Sequence, residues 1–396
     1  MDSTSTRHAG QEINLGDADD LDGLLETVES VLGAGPGEPV DLAEFLALLD
    51  VDELVDVMHV FYRKPWKFPF PMDALCRLLV WVGVKRHRFL TEAHREFVCR
   101  AGLAELLGFD RAWLPQYKTL WELVNRRLGA PGLDALARAG LRAVVKVARN
   151  LGVRVGEISL HDSTMLEGSP KDEEAAYNDY YEATGYKWHN TRCAETALPV
   201  AWTVTPATTH DQRQFAPNLQ CAAEDGIQFR RVIADGAYDA RENYALVAFG
   251  YHAEFLTDIR DNAVEDAMWT AKRLRAYYHK HWKKEWFERR ATFHRMLELL
   301  VEQKGAFDQV GGYLRTVAMR RAARDPRVSK AYHVRSRIEG NHGVEKRHGE
   351  VRWAESKGLS KRKVQVALVV LGEVSLALTR LQHGFTHGLS RFVHLV

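Results

Sequence analysis

The stretch Val153-Arg154-Val155-Gly156-Glu157-Ile158-Ser159-Leu160-His161-Asp162 decides the fold class. Before Gly152 the apolar residues recur at helical spacing. From Val153 to His161 they alternate, so that Ile158, Leu160 and Asp162 share one face of a pleated strand. A chain that changes period there joins a helical N-terminal region to a region built on a sheet.

Upstream, residues 1–18 are polar and aperiodic and read as a frayed tail. Leu21, Leu24, Leu25, Val28 and Leu32 then keep helical spacing until Gly33–Pro39 breaks it. Leu42, Phe45, Leu46 and Leu49 open a second helix, and Leu75–Val84 a third. Leu103–Gly108 and Thr119–Gly129 suggest two further helices around a turn containing Pro115. Lys118, Arg126 and Arg127 on the second of them suit either DNA contact or ordinary packing.

Downstream, Tyr186–Arg192 and Leu198–Thr205 read as a hairpin, with Thr209–Asp211 capping a helix that runs through Ala223. Arg231–Ala234 is a short apolar strand ending at Asp235, and His252–Thr257 is another. From Asp261 to Arg324 the helical pattern returns, rich in aromatic and basic residues, and Asp325-Pro326 closes it. A long helix is expected to begin near Lys330 and pass Lys346, and Lys361–Leu381 to form the last helix. The apolar run Val366–Gly372, broken by Glu373, is too short to span a bilayer and reads as buried, so no membrane association is expected. No apolar stretch follows a basic start, so no secretory leader is expected and the location is read as cytoplasmic.

Of 396 residues, 46% are hydrophobic and 27% charged, the composition of a globular protein of two or three domains. Cys76, Cys99, Cys193 and Cys221 form no C-x-x-C and no disulfide framework, which fits free thiols in a reducing compartment. The net charge of +1 conceals an uneven distribution. Residues 1–50 hold one arginine against twelve acids, and residues 51–150 hold 17 bases against 10 acids. Residues 151–250 reverse this with 8 against 15, and residues 251–396 carry 28 against 16. An acidic centre between basic blocks suits a cation site flanked by surfaces for a polyanion.

Asp162 and Asp235 both follow apolar strand residues, and carboxylates at strand ends project into the crevice where ligands bind. A single aspartate there is often only a turn residue. Two close together stay ionised only if a cation neutralises them, and oxygen ligands favour a hard cation such as Mg²⁺. A third element is Tyr332-x2-Arg335-x3-Glu339-x6-Lys346. At about 100° per residue these four side chains share about 60° of arc on a helix. One carboxylate flanked by two cations and a phenol suits a metal and phosphate surface, and it equally suits a solvated face laced with ion pairs. Glu350 is the alternative third acid if the glycines at 340 and 343 distort the helix. His161, His189, His210, His342 and His348 lie in or beside these motifs and read as supporting groups, since Mg²⁺ prefers oxygen.

That spacing resembles the YREK signature of DDE transposases from prokaryotic insertion sequences. Leu160-His161-Asp162-Ser163-Thr164 and Ile233-Ala234-Asp235-Gly236-Ala237-Tyr238 resemble the segments that carry the family's two aspartates. Gly185-Tyr186-Lys187-Trp188-His189, and Val204 through Asp211, resemble its second and third strands and the helix that follows. The likeness covers about residues 150–385. It implies an α/β fold in which an RNase H-like mixed sheet with flanking helices is interrupted by a helical insertion and preceded by an all-helical domain.

The expected domains are therefore residues 1–150, binding the DNA end; residues 151–260 with 325–396, catalytic; and residues 261–324, inserted. The resemblance further implies that Asp162, Asp235 and Glu339 hold two Mg²⁺ or Mn²⁺ ions, and that Tyr332, Arg335 and Lys346 grip DNA phosphates. Its substrate would be double-stranded DNA, both element ends and target, and joining two ends implies at least a homodimer on DNA. The insertion departs from the pattern, because the best-known relatives carry strands where Trp269–Glu302 reads as helix. Trp282 and Trp286 are candidates to stack on an extruded base, or to pack in a core. A metal-dependent nuclease that does not join ends, and a non-catalytic DNA-binding descendant, would share most of these features.

Overall fold

The computed structural model describes residues 41–62, 70–85, 87, 89–169, 171–258, 269–281, 292–335, 357–386 and 388–389. Those up to Ile227 and from Lys357 onward form one compact unit, and those from Gln228 to Arg335 form another.

The helical spacing of the N-terminal region becomes α1 (Leu42–Leu48), α2 (Asp52–Phe61), α3 (Met72–Lys85), α4 (Leu90–Cys99) and α5 (Leu103–Leu106). Then come α6 (Tyr117–Glu122), a π-helical turn (Leu123–Leu128) and α7 (Gly129–Asn150). Asp41 caps α1 by accepting from the amides of Ala43 and Glu44. The expected pair of helices around Pro115 is not a helix-turn-helix: α5 is a single turn, and a ten-residue connection separates it from α6. The two arginines there, read as suited either to DNA contact or to packing, lie over aromatic rings, Arg126 over Trp121 at 5.4 Å and Arg127 over Tyr62 at 5.5 Å.

The strands are β1 (Ile158–Glu167), β2 (Ala176–Asn178), β3 (Ala183–Cys193) and β4 (Pro199–Pro206), followed by α8 (Gln212–Glu224). All four strands pair antiparallel. One edge of β3 takes β1, while the other is shared by β2 at Ala183–Gly185 and β4 at Tyr186–Arg192. Strand β1 is longer than its alternating pattern suggests. It begins at Ile158 rather than Val153 and runs five residues past Asp162, because Ser163 and Thr164, although polar, are buried and stay in register with His189 and Trp188. Asp162 therefore sits mid-strand opposite Asn190, not at a strand end.

In the other unit β5 (Arg231–Ala234) and β6 (Glu254–Thr257) pair in parallel. Their crossover contains a 3₁₀ turn (Gly236–Tyr238), α9 (Arg241–Ala245) and a π-helical turn (Leu246–Gly250). Then follow α10 (Ala271–His281), α11 (Phe293–Lys304), α12 (Phe307–Arg324) and α13 (Pro326–His333), so the described part of the 261–324 segment is helical as read. Antiparallel and parallel pairings together match the mixed strand order expected.

The chain returns to the first unit with α14 (Leu359–Gln382). This helix is long and apolar enough to cross a membrane, yet 89% of that window is buried inside the protein. It packs on α3, α7 and β4. Glycines permit the close crossings: a Cβ on Gly372 would lie 2.5 Å from the carbonyl carbon of Gly83 in α3, and one on Gly140 of α7 would lie 2.9 Å from Val374. Within this contact Glu373 meets Arg192 of β3 at 3.1 Å, with both side chains almost fully buried. Removing one member strands a charge in the core. Glu373→Leu is expected to cost about 3–5 kcal/mol in urea unfolding, and the double variant Arg192→Met with Glu373→Leu to recover most of that loss.

Candidate active site

Alternation along paired strands sorts the polar residues of β1 and β3 onto two faces. Residues opposite one another share a face. Asp162, Asn190, Leu160 and Arg192 therefore lie on one face, and His161, Thr191, Ser163, His189 and Lys187 on the other. Asp162 is only 8% exposed, and its Oδ1 accepts the amide of Ser163 at 2.8 Å. The carboxylate is thus held by a strand paired along its length, which leaves it little freedom to swing.

The second face is closed by α8. Phe215 stacks edge-on to the His161 ring, and Asn218 bonds Thr203 at 2.6 Å. His161 Nδ1 pairs with the Thr191 hydroxyl at 2.6 Å, and His189 Nε2 with the Thr205 hydroxyl at 2.8 Å. Burial, and then the neighbouring His189, pull the His161 pKa down to about 3. Burial likewise lowers His189, with Asp211 opposing and Lys187 assisting, to about 4. Both rings are neutral near pH 7 and bonded to threonines on the face away from Asp162.

Asp211 occupies the N-cap position of α8 but makes no capping bond. Its carboxylate turns instead to Lys187 Nζ at 2.9 Å, close to His189 Nδ1 at 3.6 Å. The capping reading missed this pairing, because the lysine is 24 residues away and only the register of β3 brings it near. Tyr181, from the β2–β3 loop, is another residue the sequence gave no reason to select. Its hydroxyl shares a hydrogen bond with Ser163, and burial together with Asp162 and Asp211 pushes its pKa up to about 12.

Asp235 lies where the sequence placed it, directly after β5. Its side chain caps the 3₁₀ turn by accepting the Ala237 amide at 2.9 Å, and its carbonyl receives the Thr257 hydroxyl from the end of β6 at 2.8 Å. Parallel strands ending side by side put the aspartate at the carboxyl end of the pair, the usual position for a ligand-binding group.

Tyr332 lies in α13 and Arg335 just beyond it, with the guanidinium 5.7 Å from the ring centre. The long helix expected from Lys330 past Lys346 is not what forms at this end. Asp325 caps a helix that starts at Pro326, by accepting the Arg327 amide at 3.0 Å, and the helix stops at His333. There the amides of Val334 and Arg335 bond back three residues, to Ala331 and Tyr332, which tightens the last turn. The single stripe from Tyr332 to Lys346 therefore does not follow from one continuous helix. Glu339, Lys346, Glu350, Trp282 and Trp286 lie outside the described residues.

Among the described residues, no group of three His, Cys, Asp or Glu side chains is gathered to hold a metal. The two expected ligands among the described residues, Asp162 and Asp235, offer carboxylate oxygens, a donor type that fits a hard divalent cation rather than zinc or copper. The four cysteines are free, and burial lifts Cys76 and Cys193 to about 12, so those two offer no thiolate.

The transposase DDE domain family matches residues 154–371, more than half of the chain. The chain belongs to the DDE transposase family. Its mixed strands and abundant helix are in line with an RNase H-like transposase domain, and transposition, with DNA as substrate, is the function that membership implies. Transposases of this family generally use divalent metal ions. No curated protein matches the chain.

The two histidines give the transposase a pH signature. An unfolded chain protonates them near pH 6.5, whereas the folded chain resists protonation until about pH 3 to 4. The stability they contribute is complete above about pH 6.5 and is lost as the pH falls. The thermal midpoint is expected to decline already between about pH 6.5 and 5, above the carboxylate range, and His189→Gln to flatten that decline.

Proposed function

We propose that the chain is the transposase of an insertion sequence of the YREK-signature subgroup, cutting and joining phosphodiester bonds at the element's ends by in-line displacement, in a cut-and-paste pathway. The observation that carries this reading is that the family match encloses Asp162, Asp235 and Glu339 in the order and motif context of a DDE triad. The metal-dependent nuclease and the non-catalytic descendant have no observation of their own in their favour.

In this reading Asp162, Asp235 and Glu339 hold two Mg²⁺ or Mn²⁺ ions. When bound, the ions supply an activated oxygen nucleophile and stabilise the departing oxygen. Asp162, fixed in mid-strand, acts as the rigid member of the triad, and Asp235 as a ligand carried on a turn. Arg335 and Lys346 hold nonbridging phosphate oxygens and offset the charge that builds at phosphorus, with Tyr332 beside Arg335. In cleavage, water bonds to phosphorus and the 3′ oxygen leaves as a hydroxyl. In joining, that 3′-hydroxyl attacks a target phosphate and displaces its 3′ oxygen. No covalent protein intermediate is required.

The remaining assignments belong to the same proposal. Residues 1–150 bind the DNA end, residues 151–260 and 325–396 form the catalytic domain, and residues 261–324 form the insertion, with Trp282 and Trp286 stacking on an extruded base. Two protomers act on a pair of ends, in the cytoplasm of a prokaryotic cell.

A labelled duplex bearing the element's terminal repeat tests the reading. With Mg²⁺ or Mn²⁺ the wild type is expected to cut at the element boundary, and Asp235→Ala to bind the same DNA without cutting it. Precleaved ends with free 3′-hydroxyls are expected to join to target DNA. Cutting without joining would identify a nuclease, and tight end binding with no cutting by the wild type would identify a non-catalytic descendant.

A further inference from the structure

Helix α12 is fixed to the β5–β6 segment at several points along its length. Asp308 meets Arg241 at 3.1 Å, and Gly311 lies so near the Arg241 backbone that a Cβ would stand 2.5 Å from its carbonyl carbon. Arg321 pairs with Glu254 at the start of β6. Between these contacts Arg315 reaches Asp239, the residue that ends the 3₁₀ turn begun by Asp235. Its Nε donates to Oδ1 at 2.8 Å and its Nη2 to Oδ2 at 2.6 Å, a two-pronged pair with a carboxylate only 1% exposed. The Tyr244 hydroxyl adds a third bond to Oδ1 at 3.1 Å.

The turn between the two aspartates has little slack. The Tyr238 amide bonds the Asp235 carbonyl at 3.0 Å, the Asp239 amide bonds the Gly236 carbonyl at 3.3 Å, and the Asn243 side chain holds the Tyr238 carbonyl at 2.9 Å. A displacement of Asp239 is therefore passed to Asp235 through one turn of backbone. Unlike Asp162, which is held along a paired strand, Asp235 sits on a turn that begins where its strand ends.

We infer that Arg315 is a positioning residue for Asp235: by gripping Asp239 it fixes the turn that aims the Asp235 carboxylate. The inference rests on the proposed role of Asp235 as a metal ligand. It gives the helical segment after β6 a task in the chemistry, separate from any contact that segment makes with DNA.

The test compares lysine substitutions at the two arginines of α12. Arg315→Lys keeps a positive charge beside Asp239 and removes the fork. It is expected to weaken Mn²⁺ binding to the DNA-free protein, followed by the paramagnetic signal of the ion, by about tenfold or more, and to slow single-turnover cleavage similarly. Metal-free affinity for the end duplex should stay at the wild-type value. Arg321→Lys loosens the same helix at Glu254 and is expected to lower the unfolding midpoint while leaving Mn²⁺ affinity unchanged. Should Arg315→Lys fail to fold, Asp239→Asn keeps the shape and is expected to weaken Mn²⁺ in the same way.

Wild-type Mn²⁺ affinity in Arg315→Lys, or an equal loss in Arg321→Lys, overturns the inference and leaves the role of Asp235 intact. Unchanged Mn²⁺ affinity in Asp235→Ala overturns that role, and the inference with it.

Discussion

The ion pair between Arg192 and Glu373 is the contact on which the first unit's arrangement turns. An arginine and a glutamate at this depth are held out of water at considerable cost, and burial alone would lower the guanidinium's pKa; the glutamate opposes that. Two apolar residues of similar volume would serve the core equally well in energy. What the pair adds is register: Arg192 is the last residue of β3 paired with β4, and Glu373 follows the glycine at which α14 crosses α3. A slip of α14 by one residue would rotate Glu373 by about 100° away from the strand and leave both charges unpaired. The same register of β3 sets Asn190 opposite Asp162 and turns Lys187 and His189 toward α8. A contact far from Asp162 in sequence thus ties the last helix to the strand that pairs with the aspartate.

Glycine supports that arrangement from two sides. Gly83 and Gly140 bring α3 and α7 close to α14, which allows so long an apolar helix to be covered by other helices instead of lipid. Hydropathy by itself does not separate these two fates, and the broken apolar run at Glu373 pointed the right way for a reason that only the fold supplies. The glutamate belongs in the core because an arginine waits there.

Legibility in the sequence followed the range of the interactions involved. Arg231–Ala234 could be read directly, since four residues with an apolar centre end at an aspartate that caps the following turn, a local event. The extent of β1 could not. Ser163 and Thr164 look like the start of a loop, and only pairing with His189 and Trp188 keeps them extended and buried. The three-residue β2 carries no periodic signal at all. Asp211 was placed correctly at a helix start yet given the wrong partner, because capping is a local habit and Lys187 a distant neighbour. Asp239 passed unnoticed for the same reason: nothing within a few residues reveals Arg315, 76 positions along the chain.

The two described aspartates illustrate different ways of holding a carboxylate still. Asp162 relies on the ladder of a ten-residue strand, where any movement must break pairings on both sides of it. Asp235 stands after a four-residue strand, so its orientation depends on a 3₁₀ turn, the Thr257 hydroxyl and whatever anchors the far end of that turn. A planar two-pronged arginine suits the anchoring task better than lysine, because it fixes both position and orientation of the carboxylate it holds. The position on a turn gives the Arg315–Asp239 pair a task that the strand ladder performs for Asp162. Where the strand cannot hold the carboxylate, side chains from a distant helix can.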